Sequence, residues 1–341
     1  MISFETEKPI SQLAKLAASL LLVLTTACSS SQSTVEPESN RNQQVDVKTS
    51  TLRLGIINVN STKVPTGPIG WAMHKGKLLP EIEKLGIKQV QTFSFPNGPD
   101  LNEALVTGQL DMGIYGDTPA IVARGNGIPT RLISQEQVGT NAWLVTRKNG
   151  PRSIAELKGQ KVATSKGSYM HRYVIGLLQK SGIADKVKLV HLLPNEAQAA
   201  LERGDIAAIA APTGTGPLLQ SKGFPVIDEA INHPDLPGTS VTVVTEAFLA
   251  QHPDLPQKWN QIKQAAVKDI KANPEEYYKF HAQVSGYPVG IVKASIAIEQ
   301  FPEEPIPAKG IQLLQGTKQF LVSQKLVKSD FELKDWIVGQ K

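Results

Sequence analysis

Apolar and polar positions along this chain switch repeatedly between a strand-like and a helix-like period. Leu52 to Ile57 is a short apolar, β-rich run that ends in the polar loop Asn58–Gly67. A helix follows over 68–74, with Gly76 as its stop. Asn97-Gly98-Pro99 opens a second helix through Leu105, closed at Gly108, after which Leu110, Met112 and Ile114 alternate as a strand. Gly116-Asp117-Thr118-Pro119 starts another helix, with Thr118 expected at the N-cap and Pro119 at the first helical position.

The series then recurs. Lys161–Thr164 reads as a strand, Ser165–Ser168 as a loop and Tyr169–Lys180 as a helix stopped by Gly182. Pro194-Asn195 opens a helix to Gly204, Ile206–Ala211 is the next strand, and Pro212–Pro217 is its exit loop. The copies share letters: Asn102-Glu103-Ala104 matches Asn195-Glu196-Ala197, and Ala104-Leu105-x-x-Gly108 matches Ala200-Leu201-x-x-Gly204. Alternating strands and helices in two copies imply two α/β lobes with mainly parallel sheets. Ligands of such sheets bind beyond the carboxyl ends of the strands. Four loops meet that description: 58–67, 116–119, 165–169 and 212–217. Two come from each half, and a cleft between the lobes holds all four.

Beyond about Val241 the pattern becomes helical, with starts at Thr245, Asn273-Pro274 and Pro288 and a further helix over 310–326. This tail is expected to complete the first lobe. The resulting division is 51–142 for the first part of lobe I, 143–241 for lobe II and 242–341 for the completion of lobe I. The chain then crosses between lobes near 140–143 and returns near 238–243.

The amino terminus changes the picture. Lys8 and Lys15 precede a mainly apolar run from Leu16 to Leu24, then Thr25-Thr26-Ala27-Cys28. The run is far short of the ~20 residues needed to cross a bilayer, and it reads as a signal peptide over 1–28. Cys28, the only cysteine among 341 residues, excludes an intramolecular disulfide. Residues 29–50 carry almost no apolar mass and read as a tether. A net charge of +5 spread over the chain, without a basic stripe interleaved with aromatics, gives no reason to expect nucleic acid.

Catalytic and metal-binding patterns are missing. Gly214-Thr215-Gly216 lacks the Gly-Lys-Ser/Thr ending of a phosphate loop. No Gly-x-Ser-x-Gly elbow occurs, and the six histidines show no zinc-ligand spacing. Neither metal nor cofactor is expected. The cleft loops instead offer Ser, Thr, Asn, Gly and helix starts, whose N–H groups suit an anionic group. Thr118 and Ser168 either bind such a group or only cap their helices, and His171 is either a ligand contact or a plain first-turn residue. Asp111 and Asp205 sit at strand starts, away from the cleft ends, and read as structural.

Thr25-Thr26-Ala27-Cys28 resembles the bacterial lipobox, in which the cysteine is lipidated, although Thr25 stands where Leu is usual. Phe95-Pro96-Asn97-Gly98-Pro99 through Gly116-Asp117-Thr118-Pro119 resembles the solute-binding proteins of the aliphatic sulfonate, taurine and nitrate type. So does Leu157-Lys158-Gly159-x-Lys161-Val162-Ala163 leading to Lys166-Gly167-Ser168-x-x-His171. The resemblance implies the type II periplasmic-binding-protein fold and a two-strand hinge closing over a small, anionic solute. It also implies a monomer held at the extracytoplasmic face by its lipid, handing solute to an ABC permease and ATPase, and no enzymatic activity. It carries ligand contacts onto Gly116, Asp117 and Thr118 from one lobe and onto Gly167, Ser168 and His171 from the other. Ser61, Thr213 and Ser240 follow as further contacts. Where sulfonate binders place a Trp-Asp-Pro-Tyr-like segment, this chain has Ala211-Pro212-Thr213-Gly214. Nitrate, a pyrimidine-like or another small organic ligand, or a sensor without transport, therefore stay open beside an aliphatic sulfonate.

Overall fold

Leu52, Leu54 and Ile56 are almost fully buried because β1, Ser50–Ile57, is an inner strand with a neighbour on each side. The computed structural model describes residues 50–58 and 62–339. After β1 come α1 (Gly67–His74), α2 (Leu78–Glu83), β2 (Ile87–Phe95), α3 (Gly98–Val106), β3 (Met112–Gly116), α4 (Asp117–Gly125) and β4 (Thr130–Thr140). The second lobe holds β5 (Trp143–Thr146), β6 (Lys161–Thr164), α5 (Tyr169–Lys180), β7 (Lys188–His191), α6 (Pro194–Arg203), β8 (Ala208–Ala211), α7 (Thr215–Ser221) and β9 (Val226–Glu229). The chain then returns as β10 (Gly238–Thr245) and ends in α8 (Glu246–Gln251), α9 (Leu255–Ala272), α10 (Pro274–Ser285), α11 (Val289–Ser295), α12 (Ala308–Ser323) and α13 (Leu333–Trp336).

Two five-stranded sheets result, ordered β2-β1-β3-β10-β4 and β7-β6-β8-β5-β9. In the first, β1 is parallel to β2 and β3, while β10 runs antiparallel to β3 and β4. In the second, β6 is parallel to β7 and β8, while β5 runs antiparallel to β8 and β9. The two patterns are equivalent, and in each the antiparallel strand is the one that has just crossed from the other lobe. β10 pairs with the first sheet along its whole length.

The crossings are fastened to each other. The Asn141 side chain donates to Glu229 Oε2 at 2.8 Å and accepts from Ile231 N at 3.0 Å. Buried Arg172 on α5 donates to the carbonyl oxygens of Asp235, Leu236 and Pro237 in the return segment.

Each sheet is covered on both faces. Trp71, Trp259 and Tyr277 pack with Leu52, Leu54 and Ile56 on one face of the first. Leu101, Leu314, Leu321 and Trp336 pack with Val241 and Val243 on the other. The tail thus wraps the first sheet, and burying each such side chain contributes ~1.5–3 kcal/mol. Asp111 accepts from the Arg53 guanidinium at 2.6 and 3.0 Å at the start of β3, a structural tie far from the carboxyl ends. No helix among the described residues is long and apolar enough to cross a membrane. Cys28, the signal peptide and most of the tether lie outside the described residues.

Candidate functional site

A cleft of about 300 Å³ lies where the carboxyl ends of the two sheets face each other. All four loops singled out in the sequence contribute to its walls, together with the 96–99 loop, β4, β10 and the α10–α11 segment. The walls touch across the gap. Thr215 Oγ1 and Tyr287 Oη are 2.9 Å apart, and Gly214 N donates to Ser295 Oγ at 3.0 Å. Gly214 has φ +80°, and a Cβ there would overlap the Tyr287 ring, so only glycine lets the tail close so near.

On the lobe II side the loop before α5 is built by its own side chains. Gly167 turns the chain with φ +79°. Ser168 Oγ donates to Ser165 O at 2.6 Å and accepts from His171 N at 3.2 Å, which makes Ser168 the N-cap of α5. His191 Nδ1 accepts from Lys166 N at 3.0 Å, and His171 Nδ1 from Gly167 N at 3.4 Å. Burial, with help from Lys166 and His191, holds the His171 pKa below its usual value, so it serves as a neutral acceptor. Ser168 lines the cleft, while Gly167 and His171 lie behind it and shape the loop. The N–H groups of Tyr169 and Met170, in the first turn of α5, meet no acceptor among the described residues.

On the lobe I side Gly116 lines the cleft and is itself the N-cap of α4, a position expected for Thr118. Asp117 and Thr118 are the first helical residues and are buried beneath the wall at 0 and 1% exposure. Asp117 Oδ1 accepts from the Thr118 N–H at 2.6 Å and its hydroxyl at 3.0 Å. Asp117 Oδ2 accepts from Thr239 N and from the hydroxyls of Thr239 and Thr317. One carboxylate thereby neutralises the α4 start and ties α4 to β10 and α12. Sequence spacing shows that a helix starts here but not which oxygen fills its end.

The sheet register sets Ser240 opposite both Gly116 on β3 and Gln137 on β4, and all three line the cleft. Thr213 lines it as well, with its N–H directed at Tyr169 Oη at 3.4 Å. Burial pushes the Tyr169 phenol up to about 12. Ser61 lies outside the described residues. Sequence reading missed the wall given by the tail: His281, Ser285, Tyr287 and Ser295 stand 36 to 50 residues beyond Thr245, the end of β10, and carry no motif. Among the described residues the lining includes one full charge, Lys166, and no carboxylate. Among the described residues no group of His, Cys, Asp or Glu is arranged to hold a metal ion.

An aliphatic sulfonates-binding protein of Escherichia coli (strain K12) is 26% identical over 284 residues, covering 80% of this chain and 86% of that one. The alkanesulfonate-binding protein SsuA from Xanthomonas axonopodis pv. citri, solved bound to MOPS, superposes with a TM-score of 0.70. The match is 23% identical and covers 84% of this chain and 98% of that one. The desulfurization enzyme DszB shares the fold too, at TM-score 0.67 and 18% identity over 85% of this chain and 96% of that one. The architecture is thus that of the periplasmic binding proteins. The family model described as NMT1/THI5 like matches residues 89–277, more than half of the sequence, and the chain belongs to that family.

Proposed function

We propose that this chain is the extracytoplasmic solute-binding component of an ABC importer, closing over a small organic sulfonate and passing it to a permease. The observation that carries this reading is an interlobe cleft whose described lining offers one cation, many neutral donors and no carboxylate. A sulfonate would sit against the first turn of α5, taking the N–H groups of Tyr169 and Met170 and the nearby Lys166. A helix start contributes ~0.3–1 kcal/mol to holding an anion, and the free N–H groups add direct hydrogen bonds. Ile56, Ile114, Met170, Val292 and Ile296 line the remainder, which favours an organic tail over a bare inorganic anion such as nitrate.

The desulfurization neighbour raises a catalytic alternative. Among the described residues the lining supplies no cysteine and no carboxylate, and its histidine is held neutral with a pKa near 4. That lining supports capture over chemistry. A calorimetric screen of alkanesulfonates, taurine, nitrate and heterocycles on the protein lacking residues 1–28 should find one tight sulfonate ligand, recovered unchanged after incubation. Turnover, or tight binding confined to nitrate or a heterocycle, would overturn the reading. Lipid attachment at Cys28 is part of the same proposal. Cys28→Ala should abolish fatty-acid labelling and release the protein from membranes, and persistent labelled membrane association would refute the anchor.

A further inference from the structure

The cleft adjoins a chamber of about 50 Å³, and both are bordered by Gln137, Ser240 and His281. Two of these side chains have their polarity set by residues behind them. Tyr277 Oη accepts the Gly67 N–H at 3.2 Å and lies 3.2 Å from His281 Nδ1. Tyr277 is fully buried, and its phenol proton must find an acceptor. Among the described residues Nδ1 is the only acceptor that meets it. Tyr277 therefore donates to Nδ1, and the ring proton sits on Nε2, which meets no acceptor among the described residues. Burial holds the imidazole neutral, with a pKa near 4.

The second relay works the same way. Gln300 Nε2 donates to Gly139 O at 2.6 Å, so its Oε1 faces Gln137 and accepts from Gln137 Nε2 at 2.8 Å. A carbonyl can only accept, so neither amide can flip without losing a bond. Gln137 Oε1 is left without a donor among the described residues.

We infer that His281 Nε2–H and Gln137 Oε1 form a fixed donor–acceptor pair that selects solutes whose far end both accepts and donates a hydrogen bond, a hydroxyl or an amide. This rests on the proposed sulfonate reading and adds to it the chemistry of the end remote from the sulfonate. A methyl-ended solute leaves both atoms buried and unpaired, which a site built for hydrogen bonding rejects.

Isethionate and 1-propanesulfonate are the probes, since they differ by hydroxyl for methyl at equal size. Wild-type protein should bind isethionate at least ~10-fold more tightly. In folded His281→Leu and Gln137→Leu that preference should shrink towards unity, and Tyr277→Phe should reduce it while leaving the imidazole in place. Equal affinities in wild type, or a preference kept in both folded Leu variants, would overturn the pair. Long-range 1H–15N spectra of histidine-labelled protein give a readout independent of ligand. His281 should appear as the Nε2–H tautomer in wild type and lose that bias in Tyr277→Phe. If wild type binds neither sulfonate, the proposed function falls and the spectrum alone decides, with an Nδ1–H tautomer sinking the inference.

Discussion

The two lobes share one strand order, yet two of their helix starts at the cleft, those of α4 and α5, are treated in opposite ways. In lobe I the ends are filled from inside. Tyr277 takes the Gly67 N–H at the start of α1, and Asp117 takes the Thr118 N–H at the start of α4. In lobe II the start of α5 is shaped by Ser168, His171 and His191, none of which brings a negative charge, and Lys166 stands beside it. A helix start attracts anions only while its N–H groups are unbonded and no carboxylate sits on them. Equivalent topology therefore yields one wall suited to an acidic group and one built of neutral hydroxyls and amides. The fold supplies positions for sites, and a few side chains decide which are open.

The largest test removes the internal carboxylate of lobe I. Asp117→Ala leaves buried N–H and hydroxyl groups on α4, β10 and α12 without their acceptor and should cost ~3–5 kcal/mol in denaturant unfolding. A change in affinity without a loss of stability would mean that Asp117 faces solute after all, erasing the contrast between the lobes.

Ser168→Ala and Thr118→Val compare the two helix starts directly. The Ser168 variant should lose ~1 kcal/mol of stability as a lost N-cap. It should also bind its sulfonate ~10-fold more weakly, because the loop carrying the Tyr169 and Met170 N–H groups loosens. Thr118→Val in folded protein should leave affinity near wild type, since its hydroxyl is spent on Asp117. The reverse pattern, measured by calorimetry, would move the anion to lobe I.

Acid tests the neutral wall. His281 has its folded-state pKa near 4, below its ordinary value, and the titratable neighbours bordering the same chamber are Tyr277 and Glu136. Burial raises the pKa of both, favouring their uncharged forms. Above pH ~6.5 the imidazole is neutral folded and unfolded and contributes no pH dependence. As pH falls from ~6.5 towards 4 the unfolded chain takes a proton that the folded one refuses, so stability declines. His281→Gln should lose less stability than wild type between pH 7 and 5, and an identical loss would place the imidazole in solvent.

Lys166 should matter least. It is exposed at the rim, where screening limits a charge to ~1 kcal/mol or less. Lys166→Gln should weaken sulfonate binding only a few-fold and flatten its salt dependence. A loss as large as that of Ser168→Ala would show that charge, not the helix start, holds the anion.

Much of the cleft was legible because its loops follow strands and precede helices, and that punctuation is local. Gly-Asp-Thr-Pro and Lys-Gly-Ser announce themselves through backbone demands: a turn with φ near +79° at Gly167, a cap at Ser168 and a proline in a first helical turn. Edge strands such as β7 were not legible, because Lys188–His191 is partly exposed along its length and has little apolar pattern to show.

By itself the sequence determined the repeated βα units, the two lobes, the positions of the four cleft loops and the capping role of Ser168. These depend on periodicity and on residues a few places apart. The tertiary structure alone decided that β10 joins the first sheet from Gly238 and that Asp117 turns inward to Thr239 and Thr317. It also brought the tail over the cleft, with His281 and Gln137 both bordering the chamber beside it. Those outcomes rest on partners 100 to 200 residues away, and such partners are chosen by packing and by the need of each buried polar group for a bond, which no local pattern records.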